Sequence, residues 1–265
     1  MRPYIGITDV PNAEWLASML RHYRACGGEL LEHKLHAGVM TSYKVLNGIK
    51  TSWSSIWPKP EEIVDIFVFD PCVMNVLHYA DYDDKDRDLA GTLMRVAELG
   101  GPYLHALQLD MPWPDVAALK KFEKRRPPVY VILQVGEVAI KRAGGDVNEV
   151  VDRLQAYSSA IDSVLLDLSM GRGKQMNAAL LRPFIRAFRA RLPHLGITVA
   201  GGLGPDTLHL VAPLIQEFPS ISIDAQGQLR VSGSSKDPID RDRSERYLQG
   251  AIELYLATIP DGAPI

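Results

Sequence analysis

The sequence is poor in the features that mark secreted, membrane and nucleic-acid-binding proteins. It has only 2 cysteines, Cys26 and Cys72, in 265 residues, which argues against a disulfide framework and fits a reducing compartment. Its 29 lysines and arginines are outnumbered by 32 acidic residues, for a net charge of −3, a balance that argues against a general nucleic-acid binder. The first residues lack the apolar core of a signal peptide, and no later run has the length of a membrane span. We therefore expect a cytoplasmic protein with no membrane partner.

Apolar segments of strand length alternate with segments of helical periodicity along the whole chain. This pattern is typical of a parallel sheet covered by helices. Eight strands are predicted, at Tyr4–Thr8, Lys34–Met40, Asn75–Tyr79, Leu104–Leu109, Val129–Val135, Ser163–Asp167, Ile197–Ala200 and Ser220–Asp224. Helices are predicted at Asn12–Cys26, Asp84–Leu99, Trp113–Lys124, Val147–Tyr157, Met176–Arg191, Pro205–Glu217 and Arg241–Ala257. Eight such units favour one (β/α)8 TIM-type barrel over residues 1–265, and an open doubly wound sheet is the alternative.

One segment, residues 41–59, interrupts the alternation. It is rich in Ser, Thr and Trp, contains Lys44, Lys50 and Lys59, and has no acidic residue. Because it follows the second strand, it would lie at the catalytic face of a barrel, where long loops often act as lids. A solvated insertion is the alternative. Trp53 and Trp57 could stack on an aromatic substrate, although burying the loop's own apolar side is the commoner use.

Catalytic residues in TIM barrels lie at the C-terminal ends of the strands. Those ends offer Thr8, Asp9, His78, Asp81, Gln108, Asp110, Gln134, Glu137, Asp167, Ser169, Arg172, Gly201, Gly202, Asp224, Gln226 and Gly227. Asp167 closes an apolar run, a setting that raises the pKa of a carboxyl and suits a general acid; a loop cap or a pair with Arg172 is the alternative. His78 with Asp81 offers an acid–base pair, although a satisfied core histidine is the commoner outcome.

Two glycine-rich segments predict a phosphate site. Gly171-Arg-Gly-Lys174 follows the sixth strand, and Gly201-Gly202 follows the seventh, just before a helix predicted to begin at Pro205. Glycines let backbone N–H groups approach a ligand closely, and a helix start attracts anions; a plain tight turn is the alternative. The first segment is not a P-loop, because the first glycine and the final Ser or Thr of that motif are absent. No cofactor is implied, and no residue cluster has metal-ligand spacing.

Taken in order, these segments resemble the phosphoribosylanthranilate isomerase family, (β/α)8 enzymes of tryptophan biosynthesis. The start Tyr4-Ile-Gly-Ile-Thr8 is similar to the family's Lys-Ile-Cys-Gly-Ile-Thr, and Val199-Ala-Gly-Gly-Leu-Gly-Pro205 to Leu-Ala-Gly-Gly-Leu-x-Pro. Weaker similarities are found at Leu107–Asp110, Leu165–Ser169 with Gly171–Gly173, Asp224–Gly227 and Lys236–Asp237. The resemblance covers most of the chain. It implies an Amadori-type ring opening and isomerisation, with an aspartate as general acid, a cysteine as general base and a phosphate bound by the last loops.

The chain departs from this family at its chemistry. Asp167 stands at the position of the acid, but Ile5 occupies that of the cysteine and cannot move a proton. The arginine that grips the anthranilate carboxylate is missing before Lys59-Pro-Glu61, where the loop lysines could compensate, and the family's Phe-Asp-Trp has become Met176-Asn-Ala178.

The favoured hypothesis is an isomerase-like enzyme, of aldose–ketose type or related, that acts on a phosphorylated sugar or phosphoribosyl compound. Asp167 would be its acid or base, with Asp9, Asp110 or Glu137 as a replacement base. The phosphate would contact Gly171, Arg172, Gly173, Gly201, Gly202, Gln226 and Gly227. The alternatives are a true phosphoribosylanthranilate isomerase with a replacement base and a non-catalytic barrel that binds a phosphorylated ligand. The sequence leaves open whether the protein is a monomer or a homodimer.

Overall fold

Eight parallel strands close into a barrel in the computed structural model, which describes residues 1–167, 176–234 and 236–260. The strands are β1 Tyr4–Thr8, β2 Lys34–Ser42, β3 Val73–Ala80, β4 Ala106–Asp110, β5 Tyr130–Gly136, β6 Ser163–Asp167, β7 Gly196–Ala200 and β8 Ser222–Ala225. Each strand pairs with the next in sequence, and β8 closes the ring on β1 with Gly6 opposite Asp224. The predicted TIM barrel is confirmed, and ring closure excludes the open sheet.

Helices cover the outside of the barrel. They are α1 Ala13–Ala25, α2 Tyr43–Leu46, α3 Leu89–Gly100, α4 Val116–Glu123, α5 Glu137–Arg142, α6 Val147–Gln155, α7 Ala178–Arg191, α8 Ala212–Glu217 and α9 Arg241–Leu256. The longer helices begin after an Asn or Asp whose side chain accepts a hydrogen bond from a free N–H of the first turn. These caps are Asn12, Asp88, Asp115, Asp146, Asn177 and Asp240. Among the described residues, no helix has the length and apolar character needed to cross a membrane.

Two of the caps correct predicted helix starts. The helix predicted from Asp84 begins at Leu89, because Asp88 accepts from the N–H of Gly91 and so fixes the first turn there. The helix predicted from Trp113 begins at Val116, after Asp115. A cap defines the first turn locally, whereas apolar periodicity extends beyond it.

The segment after β7 differs most from the prediction. In place of one helix at Pro205–Glu217, it forms a turn, a 3-10 helix at Leu208–Leu210 and the six-residue α8. The hydroxyl of Thr207 donates to the carbonyl of Gly202 at 2.8 Å, an alternative to helical backbone bonding. Proline in the first turn of α8 then favours a helix start at that point.

The segment predicted as a loop at 41–59 is shorter in the structure. Thr41 and Ser42 belong to β2, and the short helix α2 follows at once because the Ser42 hydroxyl accepts from the N–H of Val45. A 3-10 helix occupies Pro60–Asp65. The irregular part therefore runs from the end of α2 to Lys59, and we call it the β2 loop.

The interior of the barrel is divided along its axis. At the N-terminal ends of the strands it is filled by a small apolar cluster of Tyr4, Met74, Val76, Ala106, Ile132 and Leu165. Above this cluster, the interior also holds buried polar residues: Thr8, His36, His78, Gln108, Asp110 and Asp224. Burial of polar groups costs free energy unless they are paired, so this polar layer marks where function outweighs packing.

Candidate active site

A cavity of about 420 Å³ opens at the C-terminal ends of the strands. Every strand contributes at least one residue to its lining, from Thr8 of β1 to Asp224 of β8. The loops add Trp53 and Trp57 of the β2 loop, Tyr82 after β3, and glycines after β7 and β8. Its size is that of a small-molecule site, and its position is the one that TIM barrels use for catalysis.

Asp224 lies at the base of this cavity, and its pKa is shifted far from the ordinary value of a carboxyl. It is 6% exposed and accepts a hydrogen bond from the hydroxyl of Thr8, 3.0 Å from Oδ2. Burial, with smaller contributions from the carboxylates of Asp110 and Asp167, raises its pKa from 3.8 to about 7, against the opposing effects of His78 and the Thr8 bond. The carboxyl can therefore both give and accept a proton near neutral pH.

His78 forms the second titratable group of the cavity. Its Nδ1 lies 3.7 Å from Oδ2 of Asp110, and Gln108 Nε2 donates to the other oxygen of that carboxylate at 3.0 Å. Burial alone would lower the pKa of His78, but the carboxylates of Asp110, Asp224 and Asp9 raise it above its ordinary value. The imidazole and Asp110 therefore form a close pair beside Asp224.

The pairing of His78 with Asp81, which the sequence offered as the less common alternative, is not formed. One oxygen of Asp81 accepts the backbone N–H groups of Lys85 and Asp86, each at 2.8 Å, and so holds the turn that follows β3. Asp81 is one residue beyond the end of β3, whereas Asp110 ends the neighbouring strand β4. Because β3 and β4 pair side by side, Asp110 and not Asp81 is the carboxylate next to His78.

A second histidine, His36, lies below this pair in a different protonation state. Its ring stacks on Tyr4 with centroids 4.5 Å apart, and its Nδ1 lies 3.8 Å from Oδ1 of Asp224. Complete burial and the neighbouring His78 lower its pKa well below the ordinary value. Neither ring nitrogen of His36 has a hydrogen-bond partner among the described residues. The opposed pKa shifts of His36 and His78 are of a kind typical of acid–base sites.

Two glycines make room for the polar layer. A Cβ on Gly6 would stand 2.4 Å from Oδ1 of Asp224, and one on Gly38 would stand 2.7 Å from Nε2 of His78. Both distances are far below a van der Waals contact, so any larger residue would displace these side chains. Inward glycines on two adjacent strands are the sequence signal that could have identified Asp224, which the strand-end list contained without singling it out, and that could have strengthened the case for His78.

The carboxylates predicted from the sequence as catalytic candidates separate into two groups. Asp167 and Asp110 line the cavity, as proposed from the sequence. Asp9 does not line it: with a backbone φ of 80°, it accepts from Gln226 Nε2 at 2.8 Å and from the guanidinium of the buried Arg230. Glu137 lies in the first turn of α5, forms an ion pair with Lys141 at 2.8 Å, and is also outside the lining.

Ile5, at the position of the family cysteine, is fully buried in the hydrophobic cluster that the barrel shares with its helices. Tyr4 and Thr8, which lie on the other face of β1, belong to the barrel interior. Because side chains alternate along a strand, position 5 does not reach the cavity. Apolar packing therefore determines the residue at this position in this fold.

The predicted phosphate residues lie together only in part. Gly201, Gly202, Gln226 and Gly227 line the cavity, with φ values of 109° and 66° at the paired glycines. In the described segment after β7, the first α-helix is α8, which begins only at Ala212. The prediction that a helix starts beside the paired glycines and aids phosphate binding with its dipole is therefore wrong. Gly171, Arg172 and Gly173, with Ser169 and Lys174, lie outside the described residues.

The lysines of the β2 region do not line the cavity. Lys44 pairs with Asp83 at 2.8 Å, Lys59 lies 3.8 Å from Glu62, and Lys50 is exposed. The part of the lining that the structure describes contains no lysine or arginine. Nor do residues 1–167, 176–234 and 236–260 hold a group of three or more His, Cys, Asp or Glu arranged for a metal ion.

Comparison with known proteins supports the fold and goes no further. No family model matches the sequence, and no curated protein matches it. Among solved structures, the chain is similar to QR15, an aldolase, at 11% identity over 97% of this chain and 96% of that one, with a TM-score of 0.52. A truncated 3-deoxy-D-arabino-heptulosonate 7-phosphate synthase from Thermotoga maritima aligns at 16% identity over 96% and 88%, with a TM-score of 0.49. Likeness at such identity concerns the barrel alone, and the resemblance to phosphoribosylanthranilate isomerases stays a prediction.

Proposed function

We propose that the protein is an enzyme, an isomerase-like catalyst that moves protons on a small phosphorylated sugar or phosphoribosyl compound. The observation that carries this proposal is the Asp224 carboxyl, which lies at the base of the cavity with a pKa of about 7. A catalytic acid or base works best when its pKa is near the working pH. A carboxyl held only for stability would gain nothing from this environment, since burial of its charge is costly.

The chemistry needs two groups that exchange protons with neighbouring atoms of one substrate. In an aldose–ketose type conversion, one group protonates the ring oxygen as its bond to C1 breaks, another removes the proton from C2, and C1 gains a proton as the ketone forms at C2. Asp224 and Asp167 supply two carboxyls in one cavity, and the pair of His78 with Asp110 stabilises negative charge on the substrate oxygen. The protons are redistributed within the substrate, so no oxidant or reductant is required.

The phosphate end of the substrate would contact the loops after β7 and β8. Gly201, Gly202 and Gly227 line that side of the cavity. Their backbone N–H groups would donate hydrogen bonds to the phosphate oxygens. Arg172 and Lys174 would add positive charge there, as the sequence suggests. This part of the proposal depends on the glycines without the support of an adjoining helix.

The two alternatives differ from this proposal in what happens to a bound ligand. A true phosphoribosylanthranilate isomerase would consume that substrate with Asp224 in place of the missing cysteine. A non-catalytic barrel would bind a phosphorylated ligand unchanged, but perturbed carboxyl and imidazole groups in one cavity favour catalysis.

The test is turnover by the purified protein, with three variants alongside. Phosphoribosylanthranilate is assayed by loss of its fluorescence, and a panel of aldose and ketose phosphates by exchange of the carbon-bound proton with deuterium from solvent. We expect Asp224→Asn and Asp167→Asn to lose about 10²-fold or more of the activity. The control Asp152→Asn alters an exposed pair with Arg191 and keeps the activity.

Each outcome decides between the hypotheses. Turnover of phosphoribosylanthranilate that disappears in Asp224→Asn would establish the family reaction. Exchange on a sugar phosphate alone would establish the changed reaction. Full activity of Asp224→Asn would refute the proposed role, and a compound that raises the melting temperature without being consumed would identify a binding protein.

A further inference from the structure

The β2 loop carries an aromatic surface at the cavity wall. Trp53 and Trp57 stack with ring centroids 5.5 Å apart and planes inclined by 10°. They are four residues apart on one turn, closed by a hydrogen bond of 3.0 Å from the N–H of Trp57 to the carbonyl of Trp53, and this spacing places both rings on one side. Both rings line the cavity, so stacking only on each other does not account for their placement.

The turn that carries the rings is held by its own polar contacts. The N–H of Thr51 donates to the hydroxyl of Ser54 at 2.8 Å, and the N–H of Trp53 donates to the hydroxyl of Thr51 at 3.2 Å. The rings are thereby oriented before any ligand arrives. An aromatic surface that is ordered in advance binds a planar ring without a large loss of side-chain entropy.

The indole N–H of Trp57 adds a specific requirement. This nitrogen is buried, and none of the described residues accepts its hydrogen bond. A buried donor without an acceptor destabilises a protein, and a ligand atom that accepts from it removes that cost. The ring that binds here should therefore carry a hydrogen-bond acceptor.

The described part of the cavity lining disfavours an anionic ring. No lysine or arginine among the described residues lines the cavity, and Lys44 and Lys59 lie against acidic side chains elsewhere. A carboxylate at the tryptophans would lose water without gaining a counter-charge from the described lining, which is costly.

We propose that Trp53 and Trp57 form a subsite for an uncharged aromatic ring that carries a hydrogen-bond acceptor. The inference rests on the proposed function and deepens it: the substrate is a phosphorylated sugar joined to such a ring, and an aromatic carboxylate is disfavoured.

Three small rings test the subsite by calorimetric titration of the whole protein: anthranilamide, anthranilate and aniline. The amide is neutral and has a carbonyl acceptor, the acid is its anionic counterpart, and aniline lacks the acceptor. We expect the amide to bind at least about tenfold more tightly than anthranilate, because the acid would be left without a counter-charge, and more tightly than aniline.

Variants assign the binding to the two tryptophans. Trp57→Phe keeps the ring and removes the N–H, so it should remove the preference for the amide over aniline. Trp53→Leu should weaken the binding of all three rings. Trp15→Phe is the matched control, because Trp15 is buried in α1 outside the cavity and its N–H also has no partner among the described residues; it should change nothing.

Equal or tighter binding of anthranilate, binding of none of the rings, or unchanged amide binding by both loop variants would overturn the subsite. The proposed function is judged separately, because Asp224→Asn should lose turnover and still bind anthranilamide. If the rings bind as expected and no phosphorylated compound is consumed, the proposed function fails and the subsite stands.

Discussion

Thr8 donates a hydrogen bond to Asp224 across the seam where β1 and β8 close the barrel, 3.0 and 3.1 Å from the two carboxyl oxygens. The residues are 216 positions apart in sequence. Ring closure thus places the Asp224 carboxyl among Thr8, His36 and the glycine at position 6, where it is shielded from water but open to the cavity. Burial and this neighbourhood together set its protonation.

The first prediction concerns the pH dependence of stability. Because the pKa of Asp224 is about 7 in the folded protein and 3.8 ordinarily, the folded state holds this proton more tightly. The stabilisation is complete below about pH 4 and is lost as the pH rises towards 7. Relative to Asp224→Asn, the wild type should lose up to roughly 1.4 kcal/mol of unfolding free energy per pH unit in that window.

Urea unfolding of both proteins at several pH values between about 4 and 8 measures the difference. A constant difference between wild type and Asp224→Asn across this range would show that the carboxyl titrates at its ordinary pKa.

The second prediction concerns the partner of His78. Asp110→Asn removes the charge but keeps an oxygen that can accept from Gln108, so the shape of the site is preserved. The pKa of His78 should fall by about one pH unit or more, because a close opposite charge no longer stabilises the imidazolium. Titration of the imidazole resonances by NMR measures it.

Asp81→Asn is the control for that titration. It should leave the pKa of His78 unchanged while lowering the melting temperature, because two backbone N–H groups lose a charged acceptor. A drop in the His78 pKa with Asp81→Asn and none with Asp110→Asn would reverse the assignment.

The third prediction uses the space around two glycines. Gly6→Ala would force a methyl group to 2.4 Å from Asp224 and 2.9 Å from His36, and should destabilise the protein by about 1–3 kcal/mol. Gly227→Ala meets only a carbonyl oxygen at 3.9 Å, so its cost should stay within about 0.5 kcal/mol. Thermal unfolding measures both, and similar losses for the two variants would contradict the role of Gly6.

The fourth prediction concerns the ion pair of Asp9 with Arg230, which are 6% and 1% exposed. Arg230→Met leaves the carboxylate of Asp9 buried without its counter-charge and should cost about 3–5 kcal/mol. Adding Asp9→Asn should recover part of this loss, because the unpaired charge is removed.

The exposed pair of Arg191 with Asp152 serves as the comparison for the buried one. Arg191→Met should cost less than about 1 kcal/mol, as measured by urea unfolding. Equal costs for the two arginine variants, or a double variant no more stable than Arg230→Met, would show that the buried charge is not the cause.

Local signals in the sequence predict much of the architecture. The strands Tyr4–Thr8 and Ser163–Asp167 have the predicted bounds, because short apolar runs bounded by polar residues are read directly as strands. Helix boundaries and the segment after β7 were predicted less well, since caps such as Asp88 and the hydroxyl of Thr207 override periodicity.

The sequence by itself determined the number and order of the β/α units. It also determined that strand-end residues such as Asp110 and Asp167 lie at the C-terminal face of the barrel. Periodicity and chain length are enough for this, because each unit buries its own apolar face. The tertiary structure decided which of those residues act together. In the folded barrel, His78 lies beside Asp110 and not Asp81, Asp9 forms an ion pair with Arg230, and the pKa of Asp224 is raised. These outcomes depend on pairing, burial and neighbouring charge between strands that meet only when the barrel closes.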